Sequence, residues 1–351
     1  SPDGKKIAYQ DKRLTLWYVN VDGGAPVKVD QDYAETFERS LDPAWSPDSR
    51  WIAYTKKLPS NMHAVFVYDL EGKTSFQATD GLSDARYPAF DASGKYLYFT
   101  ASTDLGPASS WLDLSGVGRP VTRSVYVAVL RQDLPSPLAP ESDEEKPADD
   151  GAGDAKKDGK DGGMDAAKKG GTDAKKNSKD GDKSGEGEAP RVTIDRDGLS
   201  QRILSLPLPA RNYAGLAAGK EGVLFVIEAP AVPGDDDSPA LTVQRLSLEK
   251  REPEQFLEGV AAFTVAGKGE KVLYRKDGGW FIAGADSPPT AGEGGLKLDG
   301  VQLLVDPRAE WRQMFREAWR LERDFMYDPN LHGLDLDKAV ARYAPFVEGM
   351  G

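Results

Sequence analysis

The stretch WSPDSRWIAY at residues 45–54 joins a tight turn to a short apolar strand. Pro47 fixes its backbone φ angle at a value that suits a turn, and the Asp48 side chain can hydrogen-bond to its own backbone. Residues 51–54 then supply the β-branched and aromatic side chains that favour a buried strand. The segment therefore predicts a turn that leads into one strand of a packed sheet.

Variants of this segment recur along the chain at a regular interval. SPDGKKIAY occupies residues 1–9, and FDASGKYLYF occupies residues 90–99. When Ser1, Ser46 and Ala92 are aligned, the two spacings are 45 and 46 residues. Two weaker copies follow, AAGKEGVLFV at residues 217–226 and VAGKGEKVLY at residues 265–274. The spacing indicates an internal repeat.

The repeats also contain companion segments with strand character. These segments lie at residues 14–19, 26–29, 65–70, 75–79, 124–130, 191–194, 200–206, 241–248 and 279–283. A repeat of about 45 residues with three or four short antiparallel strands is typical of a β-propeller blade, whereas helical repeats would show 3.6-residue periodicity. We therefore predict an all-β propeller domain over residues 1–305, with about five blades or part-blades. The ring is expected to be incomplete, with its N-terminal remainder outside this chain.

A segment of biased composition interrupts the third repeat at residues 141–190. It consists mainly of Asp, Lys, Gly and Ala, and it contains no aromatic and no β-branched aliphatic residue. Such a segment cannot bury enough apolar area to offset its ordering entropy, so we expect it to be disordered. A tolerated surface-loop insertion is the simpler interpretation, and a charged tether is the alternative.

Composition excludes several classes of function. The net charge of −12 argues against a surface for nucleic acids or anionic membranes, so neither is expected as a partner. The absence of cysteine excludes disulfides, thiolate metal sites and a cysteine nucleophile. No apolar run approaches the roughly 18 residues of a membrane span. Because residue 1 falls inside a repeat, the natural N-terminus is expected to lie upstream.

The pattern changes from strands to helices at Asp306. Asp306 is suited to be an N-cap, and Pro307 suits the first helical position. Apolar residues then recur at helical spacing from Trp311 to Met326, and Asp335 can cap a second helix. We predict that residues 306–351 are the start of a small helical domain, whose apolar stripe packs onto that domain rather than onto a partner.

The chain contains two histidines, His63 and His332, and we expect a structural or incidental role for each. No serine or carboxylate near either residue in the sequence forms a recognisable catalytic motif. Metal-binding motifs, a phosphate-binding loop and a dinucleotide fingerprint are also missing from the sequence. We therefore predict no catalytic, cofactor-binding or metal-binding residue within these residues and no cofactor.

The segment at residues 306–333 closely resembles the start of the helical domain of tricorn-type proteases, which follows directly on the second of two β-propellers. LPSPLAPESDEE at residues 134–145, with the Lys-rich insertion after it, also looks like bacterial members of that family. The SPDG repeats alone are less specific, because TolB/PD40-like and prolyl-oligopeptidase-type propellers share them. Together the resemblance covers essentially the whole chain.

The resemblance implies a large serine peptidase that acts on peptide substrates without a cofactor. In that family the nucleophilic Ser and a supporting Glu lie in a C-terminal catalytic domain, and the catalytic His follows further into the helical domain. All three positions would come after Gly351, and His332 does not match the catalytic His. The resemblance also implies a homo-oligomer in the cytoplasm, with a periplasmic or exported location as the alternative.

Three functional hypotheses follow from the sequence. The first is a propeller that admits peptides to the catalytic chamber of a tricorn-like protease. The second is a TolB-like propeller that only binds a protein partner, and the third is a prolyl-oligopeptidase-like enzyme with a Gly-x-Ser-x-Gly motif downstream. The helical segment at residues 306–333 favours the first.

Overall fold

The computed structural model describes residues 1–32, 41–104, 121–139, 189–230, 240–266 and 268–349. Within these ranges five antiparallel β-sheets follow one another along the chain, and two α-helices come after them. The sheets are the blades of a β-propeller, so the predicted fold class is confirmed. The segment at residues 141–190, which we expect to be disordered, lies outside the described residues except for its last two.

Blades 1 and 2 are built from short strands that are consecutive in the chain. Blade 1 contains β1 (Lys6–Gln10), β2 (Thr15–Asn20) and β3 (Val27–Gln31). Blade 2 contains β4 (Ala44–Trp45), β5 (Trp51–Lys57), β6 (His63–Asp69) and β7 (Thr74–Gln77).

Blades 3 to 5 continue this pattern. Blade 3 contains β8 (Asp84–Phe90), β9 (Tyr96–Ser102), β10 (Ser124–Val129) and β11 (Ile203–Ser205). Blade 4 contains β12 (Tyr213–Ala218), β13 (Val223–Glu228), β14 (Leu241–Ser247) and β15 (Pro253–Val260). Blade 5 contains β16 (Ala262–Ala266), β17 (Lys271–Lys276) and β18 (Gly279–Gly284).

The strands of each blade lie side by side in chain order, and neighbouring strands are antiparallel. In blade 2, for example, β5 and β6 pair in register from Trp51 with Asp69 to Lys57 with His63. The first strands of successive blades touch, since β8 contacts both β4 and β12, and β12 contacts β16. These first strands therefore surround the axis of the propeller. β1 carries the same repeat as β5, so it corresponds to the second strand of a blade.

The two ends of the blades form rims with different connections. The turns between first and second strands, at residues 46–50, 91–95 and 219–222, lie on one rim, which we call the turn rim. Because successive strands reverse direction, the connections between second and third strands lie on the opposite rim, which we call the loop rim. Residues 11–14 in blade 1 and 58–62 in blade 2 belong to the loop rim.

The hydrophobic core consists of four clusters, each of which fills the space between two neighbouring blades. In β5, Ile52 and Tyr54 pack with Leu16 of blade 1, whereas Trp51 and Ala53 pack into the cluster shared with blade 3. This division follows from the two-residue period of a strand, which sends alternate side chains to opposite faces. Both faces of β5 are buried, which explains why its first four residues are apolar without interruption.

The turn at residues 46–50 connects two blades as well as two strands. Ser46 Oγ accepts a hydrogen bond from the Trp51 backbone N–H at 2.9 Å and donates one to Asp48 Oδ1 at 2.6 Å. The other oxygen, Asp48 Oδ2, accepts from the backbone N–H of Val192, in the segment that leads to β11 of blade 3, at 2.8 Å. The Trp51 indole N–H donates to the Val192 carbonyl at 3.3 Å. The repeated turn therefore fixes the spacing between blades.

Some predicted strands differ from those observed. Residues 191–194 do not form a strand, because side chains of blade 2 hydrogen-bond the Val192 N–H and carbonyl. The predicted strand at residues 200–206 is divided into a 3-10 helix at Leu199–Arg202 and the short β11. β4, β15 and most of β8, β12 and β16 are missing from the prediction. β4 has only two residues, and β8 and β15 contain charged residues and proline.

The helices begin where the sequence predicts. The Asp306 carboxylate accepts hydrogen bonds from two backbone N–H groups in the first turn of α1 (Pro307–Phe325). Asp335 caps α2 (Leu336–Glu348) by accepting one from the Lys338 backbone N–H. A 3-10 helix at Leu331–Gly333 lies between them. The division of the chain into residues 1–305 and 306–351 stays a prediction.

The apolar stripe of α1 is only partly covered. Trp319 stacks on Tyr343 of α2 with ring centroids 6.3 Å apart, and the Arg312 guanidinium pairs with the Glu348 carboxylate at 2.6 Å. Met314 and Phe325 remain 62% and 64% exposed. Within the described residues, therefore, the two helices cover only part of the stripe that we expect to pack onto the helical domain.

We expect Gly269→Ala to destabilise the chain more than Gly278→Ala. Both glycines have left-handed backbone, with φ of +82° and +77°, so each substitution costs about 1 kcal/mol for that conformation. A Cβ at position 269 would lie 2.2 Å from the carbonyl carbon of Gly219 on the turn rim of blade 4, whereas position 278 is open among the described residues. Displacing that backbone adds about 1–3 kcal/mol. Urea unfolding measures both losses, and equal losses would contradict the close approach of the two turns.

Candidate functional site

A buried ionic cluster lies on the loop rim between blades 2 and 3. Its centre is the carboxylate of Asp84, which is fully buried at the start of β8. His63 Nδ1 lies 2.6 Å from Asp84 Oδ1, and Arg123 Nη2 lies 2.6 Å from Asp84 Oδ2. Arg86 Nε donates to Oδ2 at 3.1 Å. One carboxylate therefore holds three basic side chains, which we call the Asp84 cluster.

Strand topology brings these residues together. Asp84 and Arg86 are two residues apart and lie on the same face of β8, whereas His63 begins β6 and Arg123 immediately precedes β10. The starts of first and third strands all lie on the loop rim, so residues that are far apart in sequence meet there. The His63 backbone N–H and the Arg123 Nη1 group add further bonds to Asp84, at 2.9 Å each.

The Asp84 carboxyl is held in its ionised form. Burial on its own would raise the pKa of Asp84, but the hydrogen bond from His63 and the charges of Arg86 and Arg123 outweigh it and keep that pKa well below its usual range. An ionised carboxylate accepts hydrogen bonds and cannot donate a proton near neutral pH. The cluster is therefore suited to hold blades 2 and 3 together rather than to act as a general acid.

Tyr87, next to the cluster, has an unusual backbone conformation. Its φ angle is +58°, which is rare for a bulky residue, and the register of β8 with β9 shifts between Arg86 and Ala89. The Arg123 guanidinium carbon lies 6.0 Å from the centre of the Tyr87 ring. Such a conformation costs about 1–3 kcal/mol and persists only where the surroundings enforce it. The loop-rim end of β8 is thus charged, buried and strained.

His63 and Asp84 form two members of a Ser–His–Asp arrangement, but the third is not seen. Among the described residues, the His63 ring is hydrogen-bonded to Asp84 and to no hydroxyl group. This geometry fits the structural role that we expect for His63. The sequence did not indicate the cluster itself, because the spacing between His63, Asp84 and Arg123 carries no local motif.

His332 lies in the 3-10 helix between α1 and α2 and is largely exposed. Its Nδ1 lies 3.2 Å from Asp328 Oδ2, and its Nε2 is hydrogen-bonded to the Tyr327 hydroxyl. Asp328 also accepts the backbone N–H groups of Asn330 and His332 at 2.9 and 2.8 Å. These bonds build the turn between the helices, so the position fits the structural role that we expect for His332.

The first strands of blades 4 and 5 present small side chains to solvent. Ala214 on β12, and Thr264 and Ala266 on β16, are exposed.

In the described ranges no three His, Asp or Glu residues are placed to hold a metal ion. Among the same residues, no helix combines the length and hydrophobicity that crossing a bilayer requires.

The fold defines a β-propeller that continues into a pair of helices, and sequence comparison identifies the family. Residues 1–286 match the family described as "Tricorn protease second beta propeller domain", and residues 307–351 match "Tricorn protease C1 domain". The chain belongs to the tricorn protease family. Its likeness to a known family thus extends over both the propeller and the helices.

Individual relatives agree with this assignment. Tricorn protease homolog 1 of Streptomyces coelicolor is 26% identical over 99% of this chain and 31% of its own length. The tricorn protease of Thermoplasma volcanium is 22% identical over 99% of this chain and 30% of its own length. The crystal structure of the tricorn protease covers the whole chain with a TM-score of 0.71 at 19% identity, and the matched part is 31% of that protein. This chain therefore spans about a third of the length of these relatives.

We expect Asp84→Asn to destabilise the chain by about 3–5 kcal/mol at pH 7, because it leaves buried basic groups without their counter-ion. The pKa of Asp84 is lower in the folded chain, so the ionised carboxylate stabilises the fold above the unfolded-state pKa near 4. That contribution is lost as the pH falls further, and the difference between the two proteins should narrow below about pH 4.

Urea unfolding at several pH values measures this difference. The matched control is Asp80→Asn, since Asp80 is exposed and its carboxylate accepts a backbone hydrogen bond from Leu82 that an amide oxygen can also accept. The control should change the free energy of unfolding by less than about 0.5 kcal/mol. If Asp84→Asn lowers the free energy of unfolding as little as the control does, the cluster does not stabilise the fold.

Proposed function

We propose that this chain is the part of a tricorn-like serine peptidase through which peptides reach the catalytic chamber. The observation that carries the proposal is the match to a tricorn second propeller at residues 1–286, followed by the match to a tricorn C1 domain at residues 307–351. Because the chain is about a third of its relatives' length, the activity would belong to the whole protein. The substrates would be peptides, cleaved through an acyl-enzyme intermediate without a cofactor.

The first strands of the blades support a passage along the propeller axis. On β12, whose blade has a neighbour on each side, the exposed side chain of Ala214 is small and uncharged, so it offers a passing peptide few specific contacts. Pro88 and the register shift interrupt β8, and a second register shift interrupts β12 between Tyr213 and Gly215. Such irregularities disfavour pairing with an added strand. An extended peptide would pass without being captured, and the width of the passage would exclude folded proteins.

The two histidines support a catalytic centre elsewhere in the protein. His63 is buried and hydrogen-bonded to Asp84. His332 interacts with Tyr327 and Asp328 of its own turn. We infer that the nucleophilic Ser and the catalytic His lie outside residues 1–351. A homo-oligomeric assembly and a cytoplasmic location, which the family resemblance implies, remain part of this proposal.

The full-length protein should hydrolyse fluorogenic peptides and lose that activity when treated with a serine-directed reagent. The 351-residue chain alone should show no turnover, because it would lack the nucleophile. Heat-unfolded full-length protein is the control for peptidase contamination. If folded full-length protein shows no hydrolysis and no reaction with the reagent, the peptidase hypothesis is wrong and a TolB-like binding propeller becomes the better interpretation.

Narrowing the passage should slow the hydrolysis of long peptides more than the hydrolysis of short ones. In the full-length protein, Ala214→Trp enlarges an exposed side chain on the first strand of blade 4, and we expect about a tenfold loss of kcat/KM for peptides of about ten residues. A short fluorogenic substrate should lose less than about twofold. Thr74→Trp also introduces an exposed tryptophan, but on β7, the outermost strand of blade 2, and should affect neither substrate. Equal effects of the two substitutions would contradict passage along the axis.

A further inference from the structure

One ion pair joins the helices to the first blade. Lys12 Nζ lies 2.5 Å from Asp324 Oδ1 near the C-terminal end of α1, and 6.0 Å from the centre of the Phe325 ring. Lys12 lies in blade 1, whereas Asp324 lies in α1, which follows blade 5, so the two partners are far apart in sequence. α1 therefore returns from the last blade to contact the first.

Lys12 is presented by a rigid turn. The Asp11 carboxylate accepts hydrogen bonds from the backbone N–H groups of Arg13 and Thr15 at 2.8 and 2.9 Å, and from the Trp17 indole N–H at 2.8 Å. Leu14 completes the turn with a φ angle of +57°. Since the turn is held by these bonds, the direction of the Lys12 backbone does not depend on the helices.

Asp324 occupies a position that needs positive neighbours. A carboxylate near the C-terminal end of a helix is repelled by the helix dipole. Asp324 is nonetheless only 11% exposed, and its oxygens lie 2.9 Å from Arg323 Nε and 3.5 Å from Arg320 Nη1. Arg323 and Lys12 hold the pKa of Asp324 well below its usual range. Two of the three cations come from α1 itself, and the third comes from the propeller.

The contact identifies which rim faces the helices. Lys12 lies in the connection at residues 11–14, which corresponds to residues 58–62 of blade 2 and therefore belongs to the loop rim. The Asp84 cluster lies on that same rim. The turn rim, which carries the repeated turn at residues 46–50, lies at the opposite ends of the strands.

We propose that the loop rim is the face of the propeller on which the helical domain docks, and that Lys12 and Asp324 form the contact that sets its position. Peptides would then enter at the turn rim and leave at the loop rim. This direction of passage rests on the proposed peptidase function, whereas the docking of the helices on the loop rim does not.

Distances between spin labels test the docking directly, because the chain has no cysteine to interfere with labelling. One pair of cysteines replaces Arg13 on the loop rim and Lys338 at the start of α2. A second pair replaces Asp22, beyond the far end of β2, and Lys338. The six residues of β2 span about 20 Å, so we expect a narrow and clearly shorter distance for the first pair. A distance for the first pair that is broad, or no shorter than that of the second, overturns the proposal.

Charge reversal then tests the contact itself. Lys12→Glu should cause loss of the short distance of the first pair, and Lys12→Glu combined with Asp324→Lys should restore it. Lys5→Glu makes the same charge change at an exposed position of the turn rim and should leave the distance unchanged. Persistence of the short distance in Lys12→Glu overturns the role of this ion pair.

Salt provides a second measurement that needs no substitution in the ion pair. Lys12 is 31% exposed, so high ionic strength should weaken the contact and reduce the population at the short distance. A short distance that does not change with salt would contradict an ionic contact. These measurements need no substrate, so absence of peptidase activity in the full-length protein would not affect them.

Discussion

The burial of both faces of the inner blades is the constraint on which this structure depends. A blade of three or four short strands is too small to form a core of its own, and each sheet here shares its apolar side chains with its neighbours. β9 shows the principle, because Leu97 and Phe99 pack towards blade 2 while Tyr98 packs towards blade 4. Stability is therefore distributed between the blades rather than within them.

The two rims connect neighbouring blades in different ways. On the turn rim, a repeated hydrogen-bonding pattern links one blade to the next, and Asp91 continues it by accepting the Gly222 backbone N–H of blade 4 at 2.9 Å. On the loop rim, the buried charges of the Asp84 cluster link blade 2 to blade 3, and Lys12 provides a contact for α1. The turn rim sets the spacing of the blades, and the loop rim carries the Asp84 cluster and Lys12.

Prediction from the sequence succeeded where structure is local. The turn at residues 46–50, the strand after it and the caps at Asp306 and Asp335 depend on neighbours within a few residues, so they were predictable. First strands such as β8 were not, because charged residues and Pro88 hide the strand pattern that the blade imposes. The Asp84 cluster was not predictable either, since its members come from three strands whose relative positions only the folded blades define.

The sequence by itself determined the repeat, the propeller class and the tricorn-like transition into helices, because these follow from turn chemistry, strand alternation and capping residues that act over short distances. Tertiary structure alone decided that His63 is bonded to Asp84 and that α1 contacts blade 1 through Lys12 and Asp324. The physical reason is that an ion pair depends on separations of a few ångströms. No local pattern in the chain encodes such a separation between residues that lie on different blades.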